Sequence, residues 1–145
     1  MRLHKVLLGL LVAAIMGAAV WLSQTRSNYA KHEAAEREAL DILKDLATAL
    51  QSIKDPQSAR SAAGRIQIIW DRLETLIQKV QNLPALTVGE RRKLDDTLSA
   101  EGGPVIVQLF DLARQAARNA QGEATFVSTL ERIAKLSERY KLLSP

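Results

Sequence analysis

The stretch "SIKDPQSARSAAGRI", residues 52–66, decides how the chain folds. Asp55 followed by Pro56 is a helix-start signal. A carboxylate at the cap accepts a hydrogen bond from the first turn, and proline suits the first helical position, where its missing N–H costs nothing. Lys54, just before, places a cation at the carbonyl end of a preceding helix. Ser58, Ala59, Ala62 and Ala63 are small, and small residues after a tight turn let two helices approach closely. The stretch reads as the turn of an αα-hairpin, architecture rather than chemistry.

Working outward, both flanks carry helical periodicity. Upstream, Ala39, Leu43, Leu46, Leu50 and Ile53 step by four and three, with Leu40 and Ala47 widening the stripe. Downstream the pattern is stronger: Ala59, Ala62, Ile66, Ile69, Leu73, Leu76, Val80 and Leu83, widened by Ala63, Trp70 and Ile77. So broad a stripe predicts burial against more than one neighbour. Residues 29–83 are therefore expected to form a long antiparallel hairpin. Leu50, Ile53, Asp55, Ser58, Ala59, Ala62 and Ile66 follow the pattern L-x-x-I-x-D-x-x-S-A-x-x-A-x-x-x-I. In this the region of residues 40–83 resembles a helical-hairpin domain of bacterial exported or membrane-anchored proteins of unknown function. The resemblance implies a fold element and no catalytic residue.

Beyond the hairpin, Pro84 interrupts, and Thr87 with Glu90 three residues later reads as a capping box. A third helix is expected from Val88 to about Ser99. "EGGP", residues 101–104, is expected to break or sharply kink it, since two glycines and a proline all disfavour a helix interior. Pro104 then suits the first turn of a fourth helix, whose apolar face comprises Ile106, Leu109, Phe110, Ala113, Ala116, Ala117 and Ala120, with Gly122 as its cap. A last helix, about Glu123 to Leu142, faces inward through Phe126, Val127, Leu130, Ile133 and Ala134. No window reads as a strand, so the fold class is all-α.

The N-terminus, "MRLHKVLLGLLVAAIMGAAVWLSQTR", has a basic start (Arg2, Lys5) and an uncharged run from Val6 to Ser23. As a signal anchor, about 17 apolar residues span roughly 26 Å, enough for a thin bilayer, with Trp21 at the far interface and Arg26 beyond. As a cleavable signal peptide, Val6 to Met16 is the apolar region and Gly17-Ala18-Ala19 the small-residue site. Length favours the anchor, because the apolar run continues past that site; both readings export the rest. The organisation expected is a signal anchor over residues 1–25, a membrane-proximal stalk over 26–38 that continues into the first helix of the hairpin, and a helical bundle over 39–145. The C-terminal domain is placed outside the cytoplasm, on a single pass of the plasma membrane, or secreted to the periplasm if the segment is cleaved.

Composition narrows the chemistry. There is no cysteine, which excludes disulfides and thiolate chemistry. Arg2 and Lys5 supply two of the four net positive charges, leaving +2 on a remainder whose charges are interspersed, as in "EAAEREALDILKD". Without a basic stripe or stacking aromatics, nucleic-acid binding is not expected. His32 and Glu36 lie one helical turn apart, as two metal ligands would, but no third ligand is in reach by sequence; a solvated stalk is the simpler expectation. His4 belongs to the basic start. Asp95, Asp96 and Glu131 show no acid/base pairing, and "EGGP" lacks the lysine and serine of a phosphate loop. No enzyme, cofactor or metal is expected.

Two functional classes remain. The first is a membrane-anchored protein-interaction or scaffold module of the cell envelope, with a protein partner or self-association. The second is a small-molecule or lipid-binding bundle. Two surfaces follow from the hairpin's geometry. Leu76, Ile77 and Val80 oppose a largely polar part of the first arm; cover by later helices is the simpler expectation, and left uncovered they would form a partner or dimer contact. Arg91, Arg92 and Lys93 fall where the second arm returns toward the membrane and are candidates for headgroup contact, although Glu90, Asp95 and Asp96 balance them locally.

Overall fold

The computed structural model describes residues 2–22 and 29–142; side chains of residues 2–4, 6, 17–22, 136, 137 and 139–142 are outside that description. The expectations placed on Arg2, His4, Gly17-Ala18-Ala19, Trp21 and Arg26 fall outside it too. Five helices make up the described chain: α1 (Arg2–Leu22), α2 (Tyr29–Gln51), α3 (Pro56–Gln81), α4 (Val88–Ala120) and α5 (Ala124–Leu142). There is no strand among the described residues.

The hairpin turns at Asp55. Asp55 Oδ1 accepts from the Ser58 N–H at 2.7 Å, and the Ser58 hydroxyl accepts from the N–H groups of Asp55 at 3.0 Å and Lys54 at 2.8 Å. This reciprocal capping box starts α3, with Pro56 in its first turn. Asp45 and Arg72 then tie the arms together at 2.7 Å. The expected stripe of α3 from Ala59 to Val80 is buried throughout, including Trp70 and Ile77. Thr87 and Glu90 close the box that begins α4, and Gln121 and Gly122 end it with positive φ.

Cross-links fix the directions of the helices. The Lys93 ammonium lies 5.0 Å from the Tyr29 ring centroid at one end, and Asn119 Nδ2 donates to the Ile53 carbonyl at 3.0 Å at the other, so α2 and α4 run the same way. Arg60 meets Glu123 at 3.0 Å and Arg132 meets Gln67 at 3.4 Å, so α3 and α5 also run together. α2 packs on α3 and α4, α3 on α5 and α4, and α1 on α5 and α4.

Two expectations need correction. First, "EGGP" does not divide the chain into two helices: α4 is one helix of 33 residues. Proline inside a helix costs roughly 3 kcal/mol, partly through its ring and partly through a lost hydrogen bond. Here Gly103 has no Cβ to collide with that ring, which removes one of the clashes that bias a pre-proline residue away from helix. Leu94 on one side and Leu109 and Ala113 on the other are buried, so core packing holds both halves in line. Second, residues 29–38 are helical as expected but are not a solvated stalk. They form the first turns of α2, with His32, Ala35 and Glu36 buried. In this structure α1 packs into the bundle: Leu7, Leu11, Ala14 and Ile15 are buried, and Leu11, Ala14 and Ile15 meet Ile66, Trp70, Leu130 and Ile133 around a small void. Among the described residues, no helix is long and apolar enough to cross a membrane.

Candidate functional site

A cavity of about 360 Å³ opens between α2 and α4. Its α2 wall is Glu36, Ala39, Leu40 and Leu43; its α4 wall is Asp95, Leu98, Ser99, Gly102, Gly103 and Ile106. The reason for the cavity is local. Gly102 lets α4 come close to α2, since a Cβ there would meet Leu40 Cδ2 at 3.2 Å. Around that contact, Ala39, Ser99 and Gly103 are too small to fill the space, and Leu40, Leu43, Leu98 and Ile106 give it hydrocarbon walls.

Glu36 is the polar side chain that distinguishes this cavity. It is only 6 % exposed, and none of the hydrogen bonds or ion pairs among the described residues reaches it. Burial raises its pKa from 4.5 to about 8, with repulsion from Asp95 and Glu33 adding to the shift. At neutral pH it is therefore held largely as the uncharged acid. One turn earlier, His32 is fully buried with neither ring nitrogen hydrogen-bonded, and burial lowers its pKa. Trp70 Nε1, on the α3 side of the core, is likewise buried without an acceptor.

The structure separates the residues singled out by sequence. His32 and Glu36 share the buried face of α2, but no group of three or more His, Asp or Glu among the described residues is placed to hold a metal. Asp95 lines the cavity, while Asp96 and Glu131 are exposed elsewhere. Leu76, Ile77 and Val80 are at most 3 % exposed, covered by the rest of the bundle, and present no partner face. Arg92 and Lys93 are exposed and Arg91 partly so, in the opening turns of α4 beside the start of α2. No known protein family, curated protein or solved structure matches the chain, and the site is read from its own geometry.

Proposed function

We propose that this protein is an exported helical bundle that holds a small ligand with an apolar body between α2 and α4. The observation that carries this reading is the cavity itself: hydrocarbon walls, a volume within the range of about 300–1,000 Å³ usual for ligand pockets, and a small number of convergent polar groups. Among the described residues, none of α1 lines the cavity. Leu76, Ile77 and Val80 are core and offer no docking face to a scaffold role.

Export rests on the basic start and the uncharged run from Val6 to Ser23. The domain is placed outside the cytoplasm, tethered to the plasma membrane if the run is retained and released to the periplasm if it is cleaved. A tether and a docked α1 exclude one another. Withdrawing Leu7, Leu11 and Ile15 from the bundle gives up about 1.5–3 kcal/mol each, which insertion of the apolar run into lipid would have to offset. In that state Arg91, Arg92 and Lys93, at the end where the chain enters α2, would face the headgroups.

Purifying the full chain from membranes in a mild neutral detergent and analysing extracted small molecules by mass spectrometry tests the ligand reading. A species present with the wild type and lost with Ala39→Leu, which fills the cavity, supports it. Identical extracts from the two proteins remove it. An alkaline phosphatase fusion after Pro145 tests export separately: activity is expected, and an inactive fusion reverses the topology.

A further inference from the structure

We propose that the α2–α4 cavity selects a small amphipathic cation, a primary ammonium group on a short hydrocarbon body, with the Glu36 carboxylate as its counter-ion. This deepens the ligand-binding reading above and rests on it. Three observations carry it. The walls offer hydrocarbon to the body of a ligand through Ala39, Leu40, Leu43, Leu98 and Ile106. The ionisable groups on those walls are carboxylates, Glu36 and Asp95, joined by the Ser99 hydroxyl; among the described residues no cation lines the cavity. Glu36 is more than nine-tenths buried, lines the cavity and receives no hydrogen bond from the described residues.

Ionising a largely buried carboxyl without a protein donor is costly, and a second carboxylate nearby increases the cost. An ammonium group reverses both terms. It brings three donors and a positive charge, so the Asp95 field that repels ionised Glu36 attracts the ligand. A carboxylate ligand can accept a hydrogen bond from the protonated Glu36 or from Ser99, but the Asp95 charge repels it and no lining cation compensates it. An alcohol can hydrogen-bond but leaves the charges uncompensated.

The neighbours of Glu36 do not supply this charge themselves. On α2 the adjacent cleft carries Glu33 and Arg37, which pair with each other at 3.3 Å, and His32 is one turn away with its pKa lowered by burial. On α4 the facing charged groups are Asp95 and Glu101. α3 contributes no residue to either cleft.

The exchange balances simply. In the empty site Glu36 carries a proton at neutral pH. When the ammonium ion enters, the carboxyl O–H gives its proton to solvent and the carboxylate pairs with the ligand, so one positive charge replaces another. Binding at pH 7 therefore releases close to one proton. It tightens by about tenfold between pH 7 and pH 9, the rise in the ionised fraction of a group with a pKa of about 8, while an alkylammonium, titrating like lysine near about 10.4, stays largely charged.

Calorimetric titration of the full chain in maltoside micelles tests this with hexylamine, hexanol and hexanoate, each corrected for its titration into micelles alone. Hexylamine is expected to bind with the pH dependence above, and its heat at pH 7 should differ between phosphate and Tris buffers through the released proton. Hexanol should bind more weakly and without pH dependence; hexanoate should not bind. Glu36→Gln should weaken hexylamine at pH 9 by tenfold or more and leave hexanol unchanged. Hexylamine no tighter than hexanol, or no proton release from the wild type, overturns the cation inference while hexanol binding keeps the cavity reading. Failure of all three ligands overturns both. The buffer and pH measurements use the wild type, so they decide the matter even if Glu36→Gln folds poorly.

Discussion

Replacing Glu36 by glutamine should change how stability depends on pH. The folded state holds a proton on Glu36 that the unfolded chain releases near pH 4.5, so Glu36 stabilises fully below 4.5 and that stability is lost as pH rises through about 8. The full difference corresponds to a ceiling of about 5 kcal/mol, reduced by water that reaches the carboxyl through the open cavity. His32 works in the other direction. Its folded pKa lies below 6.5, so its contribution is lost as pH falls below 6.5. Between pH 6.5 and 8 only Glu36 of the two changes the balance, with a ceiling of about 2 kcal/mol. After screening we expect about 1–2 kcal/mol, or roughly 3–6 °C in Tm for a chain of this size. Thermal melts followed by circular dichroism at 222 nm in maltoside micelles measure it. The wild type should lose Tm across that window, and Glu36→Gln should be flat there and more stable at pH 8. Parallel wild-type and variant curves would refute the assignment of Glu36 as a desolvated acid.

His32→Leu should stabilise the protein by about 1–3 kcal/mol by removing two buried nitrogens without partners, and should abolish the loss of stability below pH 6.5; urea unfolding at pH 5.5 and 7 reads both effects. Pro104→Ala should raise Tm, by up to about 3 kcal/mol of added stability, because α4 is continuous through that position; a lower Tm would mean that the proline ring itself packs a needed bend. Ile69→Ala should cost about 2–5 kcal/mol in urea unfolding through the cavity it leaves in the core, and an unchanged midpoint would remove Ile69 from that core.

The hairpin was legible because its signals are local and redundant: Asp55-Pro56 sets the start, and the stripe on either side sets the faces. The course of α4 was not. Reading "EGGP" by propensity gives a break, whereas tertiary packing through Leu94 and Leu109 keeps the helix whole and turns the same glycines into a close contact with Leu40. The site was half visible. His32 and Glu36 continue the four-three stepping of Ala39 and Leu43 toward the N-terminus, so they occupy the buried face. Treating them as polar, and therefore solvated, ended the stripe too soon. That signal was available in the spacing alone. The pairing of Glu36 with Asp95 was not, because it depends on α2 and α4 running in the same direction and touching across the return of α3. Leu76, Ile77 and Val80 are covered, the simpler of the two outcomes the sequence left open: periodicity shows that a face is apolar, but the elements that cover it arrive later in the chain.

The most direct measurement of whether the α2–α4 cavity is a binding site is methyl NMR of the full chain under xenon pressure, since xenon enters apolar cavities without needing any polar contact. Saturable shifts are predicted at the methyl groups of Leu40, Leu43, Leu98 and Ile106, with those of Leu76, Ile77 and Val80 unmoved. Unchanged cavity methyls, or equal shifts throughout the core, would contradict it.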